Sequence, residues 1–311
     1  MTRRALLGLL IWGWRPPAHA RSALENTRQT HQVYRADAVI TVLSVPVYSR
    51  SGVGSGYAWF GSQESGELAM GFAGGSLPDR AMGLSRLGWL EERVAERNSA
   101  IHDAAYFGFM TASREESLQD ARKALAGGAS ETVISAIEAS MDQTMSRTRI
   151  ARFRVDGAPG WSDLAVLRPK ARRILGEDGA GARIVTSAGP APPPFLYSVV
   201  RAMRAGRRQV ETPFSYEGLL YQLSGSIAAD PRVGLRLAER GLTSNSLRIL
   251  HFEGRIAGRQ ARKSAAFRLW FDASNPSPLP LRIELQPKPF LRLIFEADPS
   301  LPEAGVPSLT D

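Results

Sequence analysis

The sequence predicts a β-dominated α+β protein: a curved antiparallel sheet, closing as a barrel or half-barrel, with a helical insertion. Three observations carry that class. The last third alternates apolar and polar residues with period two, an early run is β-branched and apolar, and the stretch between them shows helical spacing. The chain divides accordingly into an export signal at 1–20, N-terminal strands at 21–75, a helical insertion at 76–150, and a C-terminal antiparallel region at 151–311 completing the same sheet.

The N-terminal segment reads Arg3-Arg4, an apolar run from Ala5 to Trp14, Pro16-Pro17, then Ala18-His19-Ala20. Basic, apolar and small-x-small parts in that order are what a translocon and a signal peptidase recognise, so cleavage after Ala20 is expected. The apolar run is too short for a permanent transmembrane helix, which needs roughly 20 residues. The Arg pair also fits a twin-arginine signal, leaving the export route open.

In the next zone, Ala38-Val39-Ile40-Thr41-Val42-Leu43 reads as a strand. Gly52-Val53-Gly54-Ser55-Gly56 reads as a tight turn leading into a second strand at Tyr57-Ala58-Trp59-Phe60. Helices are expected at about 84–96, from Ser113 to Leu125 with Glu116 closing a capping box, and from Glu131, where Val133, Ile134, Ile137 and Met141 form a stripe. The proline-rich segment 189–194 marks a linker or boundary, and a short helix follows at Phe195–Ala205. Then come three alternating runs: Phe267, Leu269 and Phe271; Leu281, Ile283 and Leu285; Leu291, Leu293 and Phe295. Arg268, Arg282, Glu284, Arg292 and Glu296 take the intervening places, so an antiparallel meander with one apolar and one charged face is expected.

Composition narrows the function classes. There is no cysteine, which excludes disulfides, thiolate nucleophiles, Cys-ligated metals and an acylated N-terminal cysteine. The formal net charge is +9, falling to +6 once Arg3, Arg4 and Arg15 leave with the signal. The remaining arginines are scattered, without the interleaved aromatics of a nucleic-acid groove, so no nucleic-acid partner is expected. His31, His102 and His251 show no metal-ligand spacing, and no Gly-x-Ser-x-Gly elbow is present. Gly52 to Gly56 lies between strands, so no helix N-terminus stands behind it to hold a phosphate. The adjacent carboxylates Glu91-Glu92 and Glu115-Glu116 fall in the expected helices, where solvation is the simpler account. No catalytic residue, metal ligand or cofactor is assigned.

One resemblance emerges from the C-terminal runs. Leu269-Trp270-Phe271-Asp272 followed by Leu279-Pro280-Leu281-Arg282-Ile283-Glu284 resembles the strand pair of the uncharacterised exported bacterial proteins grouped as domain-of-unknown-function family 3108. Phe195 to Arg201 is similar to that family's short helix, and Val45-Pro46-Val47 to Gly56 to its N-terminal hairpin. The resemblance implies a curved sheet of barrel or half-barrel form and carries over no activity.

The expected role is that of a non-catalytic periplasmic or secreted protein that binds or carries a lipophilic or envelope-derived ligand. Phe267, Leu269, Phe271, Leu281, Ile283, Leu285, Leu291, Leu293 and Phe295 would line the site. The alternatives are an envelope scaffold or assembly factor docking onto another protein, and a hydrolase. A filled apolar face would favour the scaffold and an open apolar cavity the carrier.

Overall fold

The structure is a computed structural model that describes residues 28–42, 45–62, 66–81, 85–97, 100–112, 131–176, 182–190, 192–206, 208–258, 264–275, 277–288 and 290–301. Its first half is built from β1 (Arg28–Val42), β2 (Val45–Ser62), β3 (Glu67–Ser76), β4 (Leu87–Arg97), β5 (Ala100–Thr111), β6 (Glu131–Asp142) and β7 (Met145–Asp156). Helix α1 (Leu164–Gly176) leads to β8 (Arg183–Ala188), and helix α2 (Phe195–Ala205) to β9 (Gln209–Tyr216) and β10 (Leu219–Ala229). Helix α3 (Pro231–Glu239) precedes β11 (Ile249–Gly258), β12 (Ser264–Asp272), β13 (Arg282–Lys288) and β14 (Leu291–Ala297).

All 14 described strands form one antiparallel sheet in the order β8-β7-β6-β5-β4-β3-β2-β1-β14-β13-β12-β11-β10-β9. Every adjacent pair of strands but one is consecutive in sequence. The exception is β1 with β14, which joins the N-terminal meander to the C-terminal one through Tyr34↔Ala297 to Ile40↔Leu291. The sheet is thus open, with β8 and β9 at its two edges.

Side chains alternate along each strand, so each face of this sheet needs its own cover. On one face α1 packs over Trp59, Trp89, Phe109, Ile134 and Ala151 through Leu164, Leu167, Ala171 and Leu175. On the opposite face Val199 and Met203 of α2 meet Tyr34, Phe252, Phe267 and Phe295. Tyr197 of the same helix meets Phe60, Met70, Val94, Tyr106 and Ile137. A single helix therefore touches both halves of the sheet, which curls around it. The β9–β10 hairpin, a two-residue turn with positive φ at Glu217 (54°) and Gly218 (69°), reaches across to Val185 of β8. The edges overlap there without forming a ladder.

The β-dominated class with helices inserted between strands holds, but the helices lie elsewhere than the periodicity suggests. Residues 87–97 and 131–142 are β4 and β6. Both strands are buried on two faces, by α1 and α2, so their apolar residues do not alternate and the spacing mimics a helix. The expected helix from Ser113 to Leu125 lies outside the described residues. Gly52 to Gly56 is strand interior and not a turn, since β2 runs unbroken from Val45 to Ser62. Segment 189–194 connects β8 to α2 within one continuous sheet.

Close approach explains one glycine directly. Gly71 faces Trp59 across β2 and β3, and a Cβ there would sit 1.9 Å from the indole. That indole is in turn packed 5.0 Å from Trp89. Gly71→Ala should therefore displace Trp59 and cost about 2 kcal/mol, the usual scale of overpacking, read as a lower urea midpoint with unchanged m-value.

Candidate functional site

Adjacent residues on a strand point to opposite faces, and at Glu91-Glu92 in β4 this puts one carboxylate under each helix. Glu91 is paired with Arg172 and Arg168 of α1 and accepts from Trp89 Nε1 at 2.9 Å. Glu92 accepts from the backbone N–H groups of Leu196 and Tyr197, both at 2.8 Å, in the first turn of α2. The sequence reading of these residues as solvated helical carboxylates is thus corrected: Glu92 is only 2 % exposed. The companion pair Glu115-Glu116 lies outside the described residues.

Helix α2 begins after Pro194, which offers no side-chain oxygen to cap it. Glu92 supplies from another strand the anion that free N–H groups at a helix N-terminus favour. Burial pushes its pKa up to about 7, against the downward pull of those N–H groups. A carboxyl titrating near neutrality suits acid–base chemistry, but this one is enclosed by the helix it caps. Tyr197 extends the anchor by donating its hydroxyl to Glu96, and burial pushes that phenol up to about 12.

The nine residues expected to line a cavity are largely used in packing. Phe267, Leu269, Phe271, Ile283 and Phe295 form one buried cluster with Val199 and Met203, and half-buried Leu285 and Leu293 pack against it. Leu291 opens β14 and is half-buried. Leu281 departs from the expected face. It precedes β13, so strand alternation does not bind it, and it packs with Leu237, Ile249 and Trp270 under α3.

The face expected to be charged and solvated is also partly covered. Arg282 binds Glu284 at 2.6 Å and also Glu296, while Arg240, following α3, reaches Glu296 from above. Glu284 and Glu296 are 8 % and 6 % exposed. Trp270 is flanked by His251, stacked at 4.6 Å, and by the Arg282 guanidinium at 5.5 Å. Its Nε1 donates to Asp230 Oδ2 at 2.9 Å, and the same carboxylate caps α3 by accepting from Val233. The Asp-Pro at 230–231, an N-cap followed by proline at the first helical position, is the sequence signal that could have revealed α3.

Neither His102 with Asp103 nor His251 with Glu253 assembles into a site. His102 Nδ1 lies 2.6 Å from Asp103 with both side chains exposed, and Glu253 is engaged by Arg268 at 3.2 Å while His251 lies on Trp270. Among the described residues no group of three potential ligands could hold a metal, and no helix is long and apolar enough to cross a membrane. Two concavities of about 210 and 230 Å³ stand out. Glu253, Arg268, Glu284, Gln286 and Arg292 contribute to the first, and Ser224, Ser226, Glu253 and Arg255 to the second. Both fall below the ~300 Å³ from which small-molecule sites usually begin, and their walls are mixed: Phe267 and Leu285 also line the first, and Gly225, Gly254 and Ala266 the second.

No family model matches the chain, and no curated protein matches it. Among solved structures it is similar to the crystal structure of a β-barrel-like protein of domain of unknown function DUF1849 from Brucella abortus. The alignment covers 86% of this chain and 95% of that one, with 7% identity and a TM-score of 0.49.

Proposed function

We propose that this chain is a non-catalytic protein of the cell envelope that works by docking onto another protein. The observation that carries the reading is the use of the apolar sheet faces. Five of the nine residues expected to line a lipophilic cavity are buried against one another and against α2, and a sixth against α3. A carrier keeps such a face open for its ligand, whereas here it anchors the central helix. The small size of the two concavities supports the same choice.

Export to the periplasm or beyond is part of the proposal, resting on Arg3-Arg4, the apolar run and Ala18-His19-Ala20. Kinship with the exported proteins of family 3108 rests on Leu269 to Asp272 and Leu279 to Glu284.

Two measurements, one in living cells and one on protein isolated from its own envelope, test the docking role. Photo-crosslinking in living cells is expected to give a discrete heterologous adduct, and solvent extraction followed by mass spectrometry to give no stoichiometric lipid. A lipid recovered at one per chain would restore the carrier reading. Cross-links confined to the chain itself would overturn docking.

A further inference from the structure

The two edges of the open sheet are treated differently, and the difference points to where a partner binds. Edge strands present unpaired N–H and C=O groups, and proteins usually blunt them with proline, charge or a covering segment. At β9 this is done. The Ile227 N–H donates to the Arg208 carbonyl, so by ladder alternation Gln209, Glu211, Pro213 and Ser215 turn their backbone groups away from β10. Pro213 has no N–H to offer there, and the Ser215 N–H donates to the Pro193 carbonyl at 3.1 Å.

At β8 neither proline nor a capping backbone hydrogen bond is present among the described residues; Arg183 is its one charge, and the tip of the β9–β10 hairpin meets it only at Val185. The Gly189 N–H donates to Thr144, which fixes the alternation with β7 and turns the backbone groups of Ile184, Thr186 and Ala188 outward. No backbone hydrogen bond beyond the β7 ladder engages them among the described residues. The strand reads Arg183-Ile184-Val185-Thr186-Ser187-Ala188, β-branched at its centre, free of proline, and exposed at five of six positions.

We propose that β8 is a docking edge for an extended, acidic segment of another protein, which adds beside it as a further strand. The proposal rests on the docking role argued above and gives it a location. Charge selects the occupant. Arg147 lies directly across from Thr186 and Arg149 across from Ile184, with Arg183 on the strand itself. Arg149 is offset by Glu138 at 4.0 Å, but Arg147 and Arg183 have no carboxylate partner among the described residues. A second copy pairing through the same edge would bring two such arginine groups together, and like charges in an interface oppose binding. Arg147 and Arg149 share a face with Thr186 and Ile184 while Arg183 projects from the other, so a segment carrying glutamate or aspartate on either face meets complementary charge and supplies the missing ladder bonds.

The test uses the purified full chain and two fluorescent peptides, one alternating Glu with Val and the other alternating Lys with Val. The Glu peptide is expected to bind and the Lys peptide to bind at least tenfold more weakly. Thr186→Pro removes an outward N–H without touching the β7 ladder, copying what Pro213 does at β9, and should weaken the Glu peptide at least tenfold. Thr186→Val keeps the donor and should bind as the parent does. The double variant Arg147→Glu and Arg183→Glu leaves the backbone intact and should reverse the peptide preference. Equal binding by the parent and Thr186→Pro overturns the proposal, as does failure of the Glu peptide to bind or self-association through β8 in its place. Repeating the cellular cross-linking with Thr186→Pro separates the two readings: an adduct that survives it removes the β8 assignment but leaves docking standing, whereas absence of any adduct in the parent removes docking.

Discussion

Glu92→Gln is expected to change both the stability and its dependence on pH. In the folded chain the Glu92 carboxyl titrates near 7 because burial outweighs its two backbone donors, against an ordinary value of 4.5. The native state therefore holds a proton that the unfolded chain releases between those values, and unfolding grows easier as pH rises. The sign follows: this stabilisation is complete below about pH 4.5, declines above it, and is lost once pH passes 7. At about 1.4 kcal/mol per pKa unit the whole span is somewhat over 3 kcal/mol. Gln cannot titrate, so the stability difference between parent and variant, from urea melts at pH 4 to 8, should favour the parent most at the acid end and shrink toward pH 8. A difference that stays flat with pH would show that the carboxyl does not titrate in this range. Replacement by Ala is harsher, because it leaves the Leu196 and Tyr197 N–H groups buried without an acceptor at any pH, at a cost of about 1–3 kcal/mol.

Glu92 also shows where sequence reading stops. The C-terminal strands β12, β13 and β14 are legible because their apolar and charged residues mostly alternate, and α2 is legible because its limits fall between a proline run and Gly206. β4 and β6 are not, because a strand covered on both faces loses its period and keeps only a helix-like spacing of large residues. The role of Glu92 depends on a partner 104 positions later in the chain, and no local pattern encodes that separation. Helix α1 was hidden for a different reason: Pro169 stands inside it, which argues against a helix in any local reading. The nine residues expected to line a cavity are apolar, and most of them pack inward. What their alternation could not say is that α2 would occupy the space in front of them. The unpaired edge at β8 is likewise a property of topology, since the same six residues would be an ordinary strand if β9 paired with them.

Glu296→Ala is the other substitution expected to act strongly, through charge left behind and not through lost contact. Glu296 sits at 6 % exposure between Arg282 of β13 and Arg240 after α3. Burial holds the Arg282 guanidinium below its ordinary pKa even with Glu284 beside it. Removing Glu296 leaves Arg282 with one carboxylate where it had two, and uncouples Arg240 from the sheet. Breaking a buried pair by deleting one partner commonly costs 3–5 kcal/mol, and the retained Glu284 places this case near the lower end, about 3 kcal/mol. The exposed pair Arg154–Glu131, at 2.8 Å, provides the contrast, because surface pairs contribute about 0–1 kcal/mol and are screened by salt. Urea melts of Glu296→Ala and Glu131→Ala should therefore separate by at least 2 kcal/mol, and the Glu296 penalty should persist in 1 M salt while that of Glu131 vanishes. If Arg282→Met is added to Glu296→Ala, stability should recover in part, since the stranded charge goes with it. A double variant less stable than Glu296→Ala alone would mean that Arg282 serves the fold through its stacking on Trp270, with Glu296 only its lesser partner.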